Sequence, residues 1–353
     1  MEIYNFYLVN NLLESSLNER MVVLSSCMNI SNKKDKVVPL KDKHFIMRRY
    51  GLGPFSTVFH YLFSKKILWR KVDVIYLPYT SNFSYNAYAV FMLHFIFGIN
   101  YVIHIHGGAM KAWKPVWVAK LFFKHAKRIA GVSLPIVKEY TRRYGRKVHY
   151  LAPILPFEKS RKSKQELRIS MGLERYGKII LFVGSIKPLK APETLLKAFV
   201  ALEDEFRREF PTALLLVGDG PLLKSLKLNY GANPHVVFVG NVANEEIKDF
   251  YQLSDIFVIP SWFEGTPIAL LEAMFNKLTC VGSNVVGVNQ ILRDGDNGYL
   301  FEKDNEGELS MILKNVIADD TDAKAKAEKA FLDFTLNYDY KKHLSEVINF
   351  IEN

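Results

Sequence analysis

The chain has 353 residues, 49% apolar and 24% charged, with two cysteines and a formal net charge of +11. Such a length can bury a sizeable core and is long for one domain, so two domains are expected. Cys27 and Cys280 lie far apart without C-x-x-C or paired-histidine spacing, which speaks against a disulfide framework or a zinc site and fits a reducing compartment. No charged stretch precedes an apolar one at the amino terminus, so no cleavable signal peptide is read and a cytoplasmic protein is expected.

In chain order, the strand candidates of the first half are Met21 to Ser25, Val74 to Leu77, Tyr101 to Ile105, Arg128 to Val132 and Val148 to Ala152, with helical patterns between them. From Val74 to Met110 there is no Lys, Arg, Asp or Glu, a length that raises the question of a transmembrane helix. Pro78, Ser81, Asn82, Ser84, Asn86, Gly98 and Asn100 instead divide it into a strand, a loop, a helix of about Tyr85 to Phe97 and a second strand. That is one unit of a parallel sheet. His104-Ile105-His106-Gly107-Gly108 ends the second strand, where two glycines let the backbone approach a ligand closely. Alternation puts both histidines on one face, and His106 is nearer the carboxyl end. A strand histidine is also commonly structural.

The charge is unevenly shared. Residues 1–160 carry 24 basic and 8 acidic residues, a net of +16, whereas residues 161–353 carry 23 and 28, a net of −5. Such asymmetry points to an anionic partner, nucleic acid or a membrane surface. Between Lys111 and Arg128, Lys120, Lys124 and Lys127 recur at helical spacing beside Trp and Phe, which suits a basic amphipathic helix at a lipid interface. It suits equally an ordinary surface helix with solvated lysines. Nothing resembles an aromatic nucleic-acid-binding consensus, a zinc finger or a helix-turn-helix, so no nucleic acid is expected.

Pro153 to Glu166 is rich in proline and charge and breaks the alternation, which makes it the linker. A second series follows, with strands at Ile179 to Gly184, Ala213 to Gly218, Val236 to Val239, Ile256 to Pro260 and Thr279 to Gly282, a helix such as Pro192 to Glu203, and a last helix of about Tyr340 to Ile351. This reads as a doubly wound sheet, whose ligands bind beyond the carboxyl ends of the strands. After Ile256 to Pro260 comes Glu264 in a short loop, and Glu272, with seven residues between the two, lies inside a helix opened by Pro267. Free amides at a helix start attract phosphate, so a diphosphate could sit at Gly265, Thr266, Ile268 and Ala269. Glu264 would reach a group beyond the phosphates, and Glu272 would accept from the hydroxyls of a ribose. By spacing alone, two solvated glutamates explain the pattern as well.

The whole stretch closely resembles the donor-binding signature of retaining glycosyltransferases of family 4. Pro260-Ser261, the pair Glu264 and Glu272, Glu272-Ala273-Met274, the loop Gly282 to Gly287 and the turn Asp294-Gly295-Asp296-Asn297-Gly298-Tyr299-Leu300-Phe301 each match it. The resemblance implies an α/β chain of the GT-B fold, two doubly wound Rossmann-like domains facing across a cleft. An acceptor-binding domain at 1–155 and a nucleotide-sugar domain at 166–335 are implied, with residues 336–353 crossing back onto the first. It further implies that Gly184, Ser185 and Lys190 form the phosphate segment, where Lys187 is read as compensating for the Arg that Ser185 replaces, that the main chain of Gly220-Pro221 lies near the nucleotide, and that Gly107 and Gly108 belong to the acceptor side. His106, Glu264 and Lys190 are the implied catalytic set. No D-x-D metal site is read, since Asp294 and Asp296 sit in a turn, and no cofactor is expected besides a UDP-, GDP- or ADP-sugar donor. The expected reaction is retaining transfer of a sugar to a glycan or lipid-linked acceptor, of the kind used in bacterial surface polysaccharide synthesis, by a cytoplasmic protein peripheral to the membrane. A non-catalytic scaffold and a nucleotide-sugar epimerase stay open. The chain departs from the family at Ser185 for Arg, at Gln290 for Glu, at Ala152-Pro153-Ile154-Leu155 for a Pro-Asn-Gly turn, and in showing no Gly-Gly loop within MEIYNFYLVNNLLESS.

Overall fold

The computed structural model describes residues 21–25, 37–40, 43–47, 74–79, 85–106, 116–151, 157–202 and 204–352. The chain divides into two compact units, Met1–Pro156 with Tyr340–Asn353, and Phe157–Asp339. Each is built on its own sheet.

The first sheet runs β2-β3-β1-β4-β5-β6-β7, from β1 (Met21–Ser25), β2 (Val37–Leu40), β3 (Lys43–Met47), β4 (Val74–Tyr79), β5 (Asn100–Ile105), β6 (Arg128–Gly131) and β7 (His149–Tyr150). Only β2 and β3 pair antiparallel among them. Parallel strands are covered on both faces and must be apolar nearly throughout, and β5 is buried from Tyr101 to Ile105. The crossover helices Tyr85–Phe97, Val116–His125 and Leu134–Tyr144 supply the cover. In the second of these Val118, Ala119, Phe122 and Phe123 turn inward, and Phe122 stacks on Tyr101 at 5.2 Å. Leu134–Tyr144 stops at Gly145, whose φ of 63° lets its N–H reach back to the Thr141 carbonyl. The helix Tyr340–Glu352 belongs to this unit, with Val347, Phe350 and Ile351 buried and the Phe350 ring 5.7 Å from His149.

The second sheet is wholly parallel in the order β10-β9-β8-β11-β12-β13, from β8 (Lys178–Val183), β9 (Thr212–Val217), β10 (Val236–Gly240), β11 (Ile256–Ile259), β12 (Thr279–Ser283) and β13 (Tyr299–Phe301). Strand order reverses between β8 and β11, so the crevice that open α/β sheets use for ligands lies there. Two apolar cores, one per face, enclose the strands. At their amino ends Asp255 accepts from Lys164 at 2.6 Å, from Arg168 at 2.5 Å and from the Ile179 amide at 2.6 Å. One carboxylate thus ties the first helix of the unit to β8 and β11.

The helices and strands expected from the sequence are found, with bounds displaced by no more than three residues. Val148 to Ala152 shrinks to His149–Tyr150, and the helix expected over Pro192 to Glu203 ends at Val200. The linker is shorter than Pro153 to Glu166, because Ser163 caps a helix over Lys164–Ser170 with a reciprocal Ser163–Glu166 box. Strands β2, β3 and β13 were not foreseen; they are three to five residues long, and Pro39, Lys43 and His44 interrupt the apolar runs of the first two. Cys280 is a buried free thiol, and Cys27 lies outside the described residues.

Candidate nucleotide-sugar site

The loops after β8, β9, β11 and β12 converge on the carboxyl edge of the second sheet. The Ile186 amide donates to the Asp219 carbonyl at 2.9 Å and the Leu222 amide to the Ile186 carbonyl at 3.0 Å, which lays the first two loops side by side. A Cβ at Gly220 would stand 2.4 Å from that carbonyl, so only glycine permits the approach, and Pro221 is exposed beside it. The loop after β11 joins them through the Trp262 amide, which donates to the Leu189 carbonyl at 2.9 Å.

Two predicted residues meet across the switch point. Lys190, in the 3-10 turn Pro188–Lys190, donates from Nζ to Oε1 of the buried Glu264 at 2.5 Å, and Ser261 Oγ donates to the same oxygen at 2.6 Å. Both bonds fall on Oε1, which leaves Oε2 for another donor. Ser185 is exposed and Lys187 half-buried on the same loop, Gly184 precedes them, and none of the three contacts Glu264 in a hydrogen bond or ion pair. Gly287 packs on Glu264 from the β12 side: its φ is 95°, and a Cβ there would lie 2.4 Å from the Glu264 carbonyl oxygen.

The helix after this loop spans Ile268–Phe275, with Pro267 one residue earlier than expected, at the cap and not at the first helical position. The ring has no N–H to leave unpaired at either place. Gly265, Thr266, Ile268 and Ala269 form the helix start, each half-buried. One turn on, Glu272 accepts from Tyr251 OH at 2.8 Å through Oε2, and Tyr251 also reaches the Ala269 carbonyl at 3.2 Å. Burial raises the Glu272 carboxyl to about 7, and the Tyr251 hydrogen bond opposes the rise. Tyr251, Ser261 and Gly287 were not singled out from the sequence for these contacts. Ser261 and Gly287 do lie inside the quoted motif, whereas Tyr251 shows only the periodicity of a buried helix face.

In the first unit His106 follows β5, its amide donating to the Tyr79 carbonyl at 2.7 Å and its ring 4.2 Å from that of His104. His104 is fully buried: Nε2 bonds the Leu151 carbonyl at 3.1 Å, so Nδ1 accepts from Tyr76 OH at 2.5 Å. Burial holds His104 at about 3 and drives His106 well below the ordinary imidazole value, the neighbouring His104 adding to it, so both rings are neutral at physiological pH. Gly107 and Gly108 lie outside the described residues.

Asp294 and Asp296 serve the turn before β13. The former accepts from the Leu300 amide at 2.8 Å and the latter pairs with Arg293 at 2.6 Å. Among the described residues no group of three or more His, Cys, Asp or Glu is placed to hold a metal ion.

This architecture is the GT-B fold of glycosyltransferases, two Rossmann-like α/β units with mainly parallel sheets. HepE from Anabaena, solved with UDP and glucose, superposes with a TM-score of 0.67 at 17% identity, over 87% of this chain and 85% of that one. Residues 163–332 match the family model described as Glycosyl transferases group 1. An alpha-D-kanosaminyltransferase of Streptomyces kanamyceticus is 27% identical over 69% of this chain and 68% of its own length. The UDP-Gal:alpha-D-GlcNAc-diphosphoundecaprenol alpha-1,3-galactosyltransferase of Escherichia coli is 31% identical over 37% of this chain and 34% of its own. The family match lies within the second unit, and in that unit the chain is similar to the group 1 glycosyltransferases. Of the curated relatives this chain spans between about a third and two thirds of the length.

Proposed function

We propose that the chain transfers a sugar from a UDP-, GDP- or ADP-sugar, with retention of anomeric configuration, to a glycan or lipid-linked acceptor in surface polysaccharide synthesis. The observation that carries this is the Lys190 to Glu264 contact across the switch point, with Glu272 fixed by Tyr251 on the helix that follows. The diphosphate meets Lys190, Lys187 and the amides from Thr266 to Ala269, where preorganised positive charge faces the negative charge that builds on the leaving group. Lys190 then divides its donors between Glu264 and phosphate, and Glu264 offers Oε2 to a sugar hydroxyl. Glu272 holds the ribose through Oε1. His106, neutral, orients the reacting face as a hydrogen-bonding group and not as a cation. No residue is assigned as a covalent nucleophile, and the protein's own cations take the place a metal would fill. The name of the Escherichia coli relative, which gives a diphosphoundecaprenol-linked sugar as acceptor, favours a lipid-linked acceptor.

The test is a thermal-shift screen of UDP-, GDP- and ADP-sugars, followed by transfer assays with the donor that stabilises. A native-state ligand raises the melting temperature by mass action. EDTA should leave activity intact, and the product anomer, read by NMR coupling, should match the donor. Activity abolished by EDTA and restored by Mg²⁺ would overturn the metal-free reading. Ser185, where the family carries Arg, favours one alternative, a non-catalytic scaffold that binds membrane lipid or a partner enzyme. Nucleotide release with and without acceptor separates that scaffold, an epimerase and a transferase.

A further inference from the structure

The helix Tyr85–Phe97 contains no Lys, Arg, Asp or Glu. Ala87, Val90 and Leu93 pack into the core of the first unit, yet the carboxyl half turns Met92, Phe95, Ile96 and Phe97 to solvent, at 40, 57, 53 and 44% exposure. Met92, Phe95 and Ile96 share one face by their spacing. A surface helix of a soluble domain carries polar residues on that face, and an exposed apolar patch of this kind marks an interaction site. The neighbouring helix Val116–His125 touches it through Phe95, whose ring lies 5.2 Å from that of His125, and through Phe91, 6.1 Å from Phe122. Its outer face presents Trp117, 63% exposed, with Lys120 and Lys124 exposed one and two turns on. Over this whole stretch, Val74 to Lys138, the sequence holds seven Lys and Arg and not one Asp or Glu.

We propose that this face seats the first unit on an anionic bilayer. Phe95, Ile96 and Phe97 enter the acyl boundary, while Trp117 lies at the interface and Lys120 and Lys124 meet headgroup phosphates. At 13 residues the helix is about 20 Å long, short of the ~30 Å hydrocarbon core, so it lies in the interface and does not span it. A second copy fits less well. A two-fold contact sets the same patch against itself, and here lysines would face lysines, with no Asp or Glu on either helix to pair them. The seating deepens the proposed function, resting on that reading only where it brings the acceptor side to a lipid-linked substrate.

The experiment is co-sedimentation of the full chain with vesicles of phosphatidylcholine alone and of phosphatidylcholine with phosphatidylglycerol, at low and high salt. Wild type should pellet with the anionic vesicles at low salt. Lys120→Glu with Lys124→Glu should lower partitioning roughly fivefold or more for each lysine lost, with the difference shrinking in salt. Phe95→Glu with Ile96→Glu should lower it at every salt concentration. Thermal melting and nucleotide binding report on the fold and on the second unit: lost nucleotide binding with retained pelleting sinks the donor assignment and leaves the seating intact. Should the Phe/Ile variant fail to fold, quenching of wild-type tryptophan fluorescence by brominated lipid takes its place, and absence of quenching refutes insertion. Wild type remaining in the supernatant, variants pelleting as wild type does, or a dimer in sedimentation velocity that Phe95→Glu dissolves would each overturn the proposal.

Discussion

On the proposed reading Glu272 holds two demands in tension, since it would accept from ribose hydroxyls as a carboxylate while burial lifts it to about 7. Affinity for a nucleotide sugar, whose diester phosphates do not titrate near neutrality, should therefore fall as pH drops through about 7. Glu272→Gln should abolish that dependence, and Tyr251→Phe, removing the bond that steadies the carboxylate, should move the inflection upward. Calorimetric titration across pH reads both, and a flat profile in the wild type would sink the ribose assignment. Glu272→Ala should weaken binding by about 2 to 4 kcal/mol through loss of charge-assisted hydrogen bonds. For Lys190→Ala the expected loss is in turnover, about a hundredfold. Donor titration beside single-turnover kinetics separates the two, because on the proposed reading the Lys190 contact strengthens as charge builds on the leaving group.

At the level of elements, the site depends on how closely the loops after β8, β9, β11 and β12 approach one another. Gly287→Ala sets a methyl against the Glu264 carbonyl and leaves a left-handed φ of 95° on an L-residue, so the loop must shift. The expected cost is about 1 to 3 kcal/mol. Donor binding should fall further than that melting loss alone implies, as a paired thermal and binding measurement would show. Much of this frame was readable before any coordinates: apolar runs marked most strands, and Glu264, Glu272, Lys190 and the glycines lie in motif positions. What spacing could not show is which of them touch. Lys190 and Glu264 are 74 residues apart in sequence, and Tyr251 and Glu272 are 21 apart on different helices. The 3-10 turn at Pro188 and the switch of strand order, tertiary facts both, bring the first pair together. Strands as short as β13 offer too little alternation to recognise, and Pro267 could be placed only to within one residue of the helix start.

Taken whole, the molecule should respond to mild acid in opposite senses in its two units. In the first, burial keeps His104 at about 3 and His343 at about 4, below the ordinary 6.5. The unfolded chain then binds protons that the folded one refuses, so stability present above 6.5 is lost as pH falls toward those values. By pH 5 the loss is about 2 kcal/mol per histidine. In the second unit Glu272 has a raised value, so its contribution is full below the ordinary 4.5 and is lost as pH rises through about 7. Hydrogen exchange, corrected for intrinsic rate and resolved by peptide, should show protection falling between pH 7 and 5 in residues 85–151 while 178–283 hold or gain. Undiminished protection in residues 85–151 would refute the assignment of the histidines as buried neutral groups, and loss in 178–283 would refute the raised Glu272 carboxyl.

The polypeptide leaves the first unit at Pro156 and rejoins it at Tyr340, so during synthesis 183 residues of the second unit emerge before the helix that contributes Val347, Phe350 and Ile351. At typical elongation rates the nascent first unit waits about 10 to 40 seconds with part of its core uncovered. The later-encoded unit can finish folding before the earlier one. In the cell, the half that carries the apolar helix end at Phe95 to Phe97 is thus also the half with the longest exposure to chaperones and to premature lipid contact.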